Sequence, residues 1–140
     1  MKKKKILKGI LISLLLQLGF VSVQAQATLD KIVKAIAQVE SKNNEKLVSK
    51  NKAHVGLLQI SKITVDECNK ILGMKKYSYN DRYDGGKSIE MFYIIQNKYN
   101  SKGDVERAIR IWNGGPFCKN YKKTDKYYKR VMNVYNQLEG

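Results

Sequence analysis

Leu29-Asp30-Lys31-Ile32-Val33-Lys34-Ala35-Ile36-Ala37-Gln38-Val39-Glu40-Ser41 is the stretch that decides how this chain folds. Leu29, Ile32, Val33 and Ile36 recur at i, i+3, i+4 and i+7, the spacing of one buried helical face. Thr28 stands where it can cap such a helix and Asp30 falls in its first turn, so the spacing predicts a helix running to about Lys42. Glu40 lies one turn past Ile36 on the same apolar face. A carboxylate there is costly to keep ionised, so its pKa should rise and it should carry a proton near neutral pH. A carboxylic acid held protonated in a half-apolar cleft suits general acid catalysis of glycosidic cleavage. A glutamate at a helix end can also swing out to solvent, and position alone does not choose between the two.

The remaining pattern is helical as well. Thr64 with Glu67 three residues on reads as a capping box, and Gly73 as a stop, with Val65, Cys68, Ile71 and Leu72 facing inward. A third helix is expected from about Lys87 to Tyr99, burying Ile89, Phe92, Tyr93, Gln96 and Tyr99. Asp104 can cap a fourth with Val105, Ala108, Ile109 and Trp112 inside, broken at Asn113-Gly114-Gly115-Pro116. A last helix from about Asp125 to Leu138 puts Tyr128, Val131, Tyr135 and Leu138 on one face. Ser41 to Lys52 and Tyr77 to Gly86 read as loops, and His54 to Ile60 as a turn or short extended segment around Gly56. No stretch alternates like a strand for more than about three residues. The expected fold class is mainly α, a single domain with little or no β structure.

The first residues are read differently. Lys2 to Lys5 and Lys8 form a basic head, and Ile10 to Val23 an apolar run of 14 positions. Small residues follow at Val23-Gln24-Ala25 and Ala25-Gln26-Ala27. This is the pattern of a secretory leader over residues 1–25, with cleavage after Ala25 or Ala27, leaving the domain at 28–140. The run is short for a membrane span and is interrupted by Ser13 and Gln17, which favours cleavage over an uncleaved anchor. The expected location is the periplasm or cell envelope of a bacterium. Removing the leader takes five of the 27 basic residues and leaves 22 against 12 acidic ones, a net charge of +10. Such a charge suits a polyanionic envelope partner. No basic helix is interleaved with aromatics as in nucleic-acid binders, so no nucleic acid is expected. Cys68 and Cys118 are the only cysteines; in an oxidising compartment they can form one disulfide or stand as two free thiols. His54 is solitary and no cluster has metal-ligand spacing, so neither metal nor cofactor is implied.

Three short segments gain meaning together: Val39-Glu40-Ser41, Gly56-Leu57-Leu58-Gln59-Ile60, and Ala108-Ile109-Arg110-Ile111-Trp112-Asn113-Gly114-Gly115-Pro116. At these residues the chain resembles the soluble lytic transglycosylase family, which is related to goose-type lysozyme. Members carry Glu-Ser at a helix end, then Gly-Leu-Met-Gln, then Ala-x-x-x-Tyr-Asn-x-Gly. Thr124 and Tyr127 fit the start of a late Thr-x-x-Tyr-Val. Leu58 replaces the methionine and Trp112 the tyrosine, and the family's Asn-Ile-x-x-Gly is absent from the third helix, where Ser88-Ile89-Glu90-Met91-Phe92 stands.

The resemblance implies a lysozyme-like helical domain with a substrate cleft and peptidoglycan glycan strands as the partner. It implies that Glu40 alone cleaves the β-1,4 bond between N-acetylmuramic acid and N-acetylglucosamine, acting first as acid and then as base, and leaves 1,6-anhydro ends. Asp66, Glu67, Asp81 and Asp84 stand in no motif that would mark a second catalytic carboxylate. On this reading Ser41, Gly56, Gln59, Asn113 and Tyr127 are the candidate substrate-binding residues. Each also has a plain structural use: a helix-end hydroxyl, a tight turn, a loop amide, a turn residue and a core ring. The alternatives are a muramidase hydrolysing the same bond, or a wall-binding module without turnover.

Overall fold

The computed structural model describes residues 23–138. The expected leader falls for the most part outside them. The first helix, α1, is helical over 23–41, so Thr28 does not cap it. Instead the Thr28 hydroxyl donates to the Gln24 carbonyl one turn back, at 3.0 Å. The stripe read from the sequence is the core-facing side of α1, with Leu29, Ile32, Val33 and Ile36 all buried.

After α1 the chain makes two very short antiparallel strands, β1 (His54–Val55) and β2 (Ile60–Ser61), joined by the turn that carries Gly56 and Gln59. Two residues are too few for alternation to register in a sequence. Next come α2 (Lys62–Leu72), a 3-10 turn (Tyr79–Tyr83), α3 (Gly85–Tyr99), α4 (Val105–Gly114) and α5 (Tyr121–Gln137). The domain is mainly helical, as expected. Helix α2 packs on α3, and α4 on α5.

Several boundaries differ from expectation for identifiable reasons. Ser61, not Thr64, caps α2, because its hydroxyl accepts the Thr64 backbone N–H and the helix starts three residues sooner. Gly73 stops it in the left-handed conformation, as read. Leu72 is 38% exposed rather than inward. In α3 the buried face centres on Ser88, Met91, Phe92, Ile95 and Gln96. Apolar residues occur nearly all round this helix, so spacing could not fix which ones turn fully inward. Asp104 caps α4 through the Arg107 N–H, as expected. Helix α5 begins at Tyr121, four residues before Asp125.

The optional disulfide is not made. Cys68 is enclosed in the core beneath α3, where its thiol donates to the Met91 carbonyl at 3.6 Å. Burial, aided by nearby Glu67, pushes that thiol up to about 12, so it stays protonated. Cys118 sits free in the α4–α5 connection, against Gly114 and the Asn120 carbonyl.

Candidate active site

Glu40 leaves α1 one residue before its end and enters the wall of a cleft of about 690 Å³. Its lining comes in part from the β1–β2 region through His54, Gln59 and Ser61, and from α2 through Thr64 and Glu67. The rest comes from the ends of α3 and α4, through Tyr99, Trp112, Asn113 and, just beyond, Phe117. Helical spacing makes the acid emerge here: the turns that bury Ile32 and Ile36 aim the next same-face residue at the edge of the core.

Burial raises the Glu40 pKa above the ordinary carboxylate value; the Tyr127 hydroxyl and the charge of Arg130 oppose that rise without cancelling it. The Tyr127 hydroxyl donates to Glu40 Oε1 at 2.7 Å, and Arg130 Nη2 donates to the adjacent Val39 carbonyl at 3.4 Å. No side chain of the described residues bonds Oε2. Among those residues no fully buried side-chain oxygen lacks a partner, so Oε2 is not fully enclosed, and Glu40 is one of the residues lining the cleft. Tyr127 is itself enclosed, and burial together with the Glu40 carboxyl holds its phenol well above the usual value, which keeps it a donor.

The other expected site residues divide into two groups. Gln59 and Asn113 line the cleft with Glu40. Gln59 holds a positive φ of 49°, and its amide nitrogen donates to the Leu47 and Gly56 carbonyls. Its Oε1 carries no bond from the described residues and remains an acceptor. Asn113 is exposed in the last turn of α4, next to Trp112, whose ring packs edge-on against buried Phe92 at 5.3 Å. Tyr127 lies behind Glu40 rather than on the cleft wall.

Ser41 and Gly56 do not line the cleft. The Ser41 hydroxyl donates to the Ala37 and Leu57 carbonyls and accepts from the Asn44 N–H, so it ties the end of α1 to the glutamine-bearing turn. Gly56 has a φ of +82°, and a Cβ there would stand 1.9 Å from the Arg82 carbonyl oxygen. Its glycine is required by that close backbone approach. Buried Arg82 in turn reaches the Tyr79, Ala53 and Ile60 carbonyls, fixing the turn from the other side.

Three residues of the site were not singled out from the sequence. Glu67 brings a second carboxylate to the cleft, where it accepts from the Tyr99 hydroxyl and lies 3.8 Å from Lys70. Its spacing from Thr64 reads as half of a helix cap, and no motif in the sequence marks it as a catalytic carboxylate. Phe117 stands 81% exposed at the cleft, edge-on to Tyr99, and no periodicity marks a residue in such a turn. Arg130 follows Tyr127 by three residues on α5, a same-face spacing that could have pointed to it. Among the described residues no three His, Cys, Asp or Glu side chains converge as metal ligands would.

The arrangement offers a carboxyl with a raised pKa in a cleft that is also lined by the Asn113 amide, the Gln59 side chain and aromatic rings. That is suited to acid-assisted cleavage of a sugar polymer. The transglycosylase SLT domain family model matches residues 20–134. No curated protein and no solved structure matches the chain significantly. With the family's match covering most of its length and a helical, cleft-bearing fold to go with it, the chain belongs to the transglycosylase SLT domain family, the lysozyme-like lytic transglycosylases that act on peptidoglycan.

Proposed function

We propose that this protein is a peptidoglycan lytic transglycosylase whose single acid and base is Glu40. The observation that carries the reading is the Glu40 carboxyl: burial raises its pKa, one oxygen is held by Tyr127, and the residue lines the cleft. The proton rests on Oε2 and passes to the glycosidic oxygen between N-acetylmuramic acid and N-acetylglucosamine. The C1–O bond breaks, the glucosamine leaves with its 4-hydroxyl, and the substrate's acetamido group steadies the cation at C1. Glu40, now a carboxylate, takes the proton of the muramic 6-hydroxyl as that oxygen bonds to C1. A 1,6-anhydro end results and the acid is restored.

Tyr127 and Arg130 temper the acid. They favour its ionised form, which must exist between the two proton transfers, while burial favours the protonated form needed at the start. Asn113 and the Gln59 oxygen hydrogen-bond sugar hydroxyl or acetamido groups, and Trp112 and Phe117 supply apolar walls for ring faces. Ser41 and Gly56 act one step back, by holding the Gln59 turn against α1. The leader at residues 1–25 directs export, and the domain works in the envelope where its substrate lies.

Glu67 gives a specific reason to keep the muramidase alternative as the comparison, since hydrolysis of the usual kind employs two carboxylates. Its engagement with Tyr99 and Lys70 speaks for a structural part instead. Digestion of purified sacculi, with mass spectrometry of the new sugar ends, separates the two. Transglycosylation gives anhydro-muramic ends that persist in Glu67→Gln. Reducing ends that disappear in that variant would establish the hydrolase.

A further inference from the structure

Helices α1 and α5 lie side by side and antiparallel, with Lys31 Nζ over the Tyr135 ring at 4.5 Å near one end and Arg130 on the Val39 carbonyl near the other. Every described acid on these two helices has a partner in the protein. Asp30 accepts from Tyr93 and Gln26, Glu40 from Tyr127, and Asp125 from Arg110. Several of the cations do the opposite. Lys122, Lys126 and Lys129 recur at i, i+4 and i+7 along the outer side of α5, all exposed, and Lys34 is exposed on α1. None of these four lies within ion-pair distance of a carboxylate among the described residues.

We propose that this two-helix face docks the protein on an anionic phospholipid surface. The lysines contribute nothing to internal pairing, yet they point one way and span about 10 Å along α5. The four lysines stand on the outer sides of two helices and line neither the cleft with Glu40 nor the smaller one beside Asp66. That placement presents their charges together to a planar surface, and each basic side chain near such a surface adds about fivefold to binding. The cleft opens elsewhere. On α1, Glu40 projects about 120° from Lys34, and on α5 Tyr127 faces inward while the lysines face out. A molecule resting on this face keeps its cleft free for a wall lying beyond the membrane.

The test is co-sedimentation of the soluble exported chain with equimolar phosphatidylglycerol–phosphatidylcholine vesicles and with phosphatidylcholine vesicles. Binding is expected to the first only, and to vanish at high salt. The triple variant Lys122→Glu/Lys126→Glu/Lys129→Glu should lose about a hundredfold in partition. Glutamate at position 122, in the first turn of α5, favours the helix, and circular dichroism checks that the helix is retained in the triple variant. The control Lys50→Glu/Lys75→Glu/Lys102→Glu changes net charge equally at exposed sites off this face and should stay within about threefold of the parent. Equal loss in both triple variants would overturn the proposal, as would parent binding to both vesicle types, or none to either. So would tighter, lysine-dependent binding to DNA or to purified sacculi than to the anionic vesicles. Cleavage of soluble glycan fragments should be unchanged in the α5 variant, so failure here leaves the proposed activity standing.

Discussion

Helix α5 meets two charges of opposite sign along its inner side, and the protein treats them differently. Toward α4, Arg110 is buried and hydrogen-bonded through its Nε and Nη1. Its Nε donates to Glu106 at 2.7 Å, and its Nη1 to Asp125 at 2.8 Å, Thr124 at 2.9 Å and the Tyr121 carbonyl at 3.0 Å. The rings of Tyr121 and Tyr128 lie on the guanidinium at 4.5 and 4.6 Å. Burial works against this charge, but the two carboxylates more than compensate and its pKa stands above the usual arginine value. Toward α1, Glu40 is half-buried with one hydrogen bond, and burial wins. A buried charge met by two carboxylates, a hydroxyl and a carbonyl fixes two helices together. A buried charge left short of partners keeps a proton ready to give away.

The largest effect that can break this contrast is at Glu40. Glu40→Gln should cut glycan cleavage at least about a thousandfold, measured as release of soluble fragments from sacculi. Because Glu40 binds its proton more tightly folded than unfolded, it contributes stability below the unfolded carboxylate pKa, and that contribution is lost as pH rises through the folded value. Melting curves of Glu40→Gln should therefore match the parent in acid and exceed it once pH passes that window. Undiminished cleavage would end the comparison.

Arg110→Met comes next, with an expected loss of about 3 kcal/mol of stability in denaturant titration, as several charge-assisted hydrogen bonds go at once. Glu106 and Asp125 reach solvent, so the loss is smaller than for a fully buried pair. Unaltered stability would show that the cluster holds nothing. Tyr127→Phe should leave the fold nearly intact and slow turnover about tenfold. It removes a bond that favours the ionised acid, so the alkaline limb of the pH–rate profile should move upward; a downward move would contradict the role given to the phenol. Arg130→Gln should move the same limb the same way by less, with a smaller effect on rate than Tyr127→Phe.

How much of this was legible follows from which side chains have a period. The stripe on α1 repeats cleanly, so Leu29 to Ile36 and the placing of Glu40 on their face could be read directly, and burial bears the raised pKa out. The turn before α2 was harder. Ser61 and Thr64 offer the same capping chemistry three residues apart, and only the fold selects the first. Arg110 was invisible as a core residue, because an arginine between Ile109 and Ile111 is ordinarily read as solvent-facing. Apart from Glu106 on its own helix, its partners come from the next helix, which begins earlier than Asp125 suggests. For Ser41 and Gly56 the sequence left two uses open, and their contacts lie with backbone carbonyls rather than with the cleft. Glu67 and Phe117 reach the cleft through tertiary packing that no local spacing encodes.

The most direct measurement is a carbon-13 titration of the Glu40 side-chain carboxyl in the intact chain, assigned by its disappearance in Glu40→Gln. A midpoint above that of an ordinary glutamate, moving higher still in Tyr127→Phe, is the result this balance of burial against one hydrogen bond predicts. A midpoint at or below the ordinary value would mean that the group is already ionised where it must donate, and the assignment of Glu40 as the acid would fall.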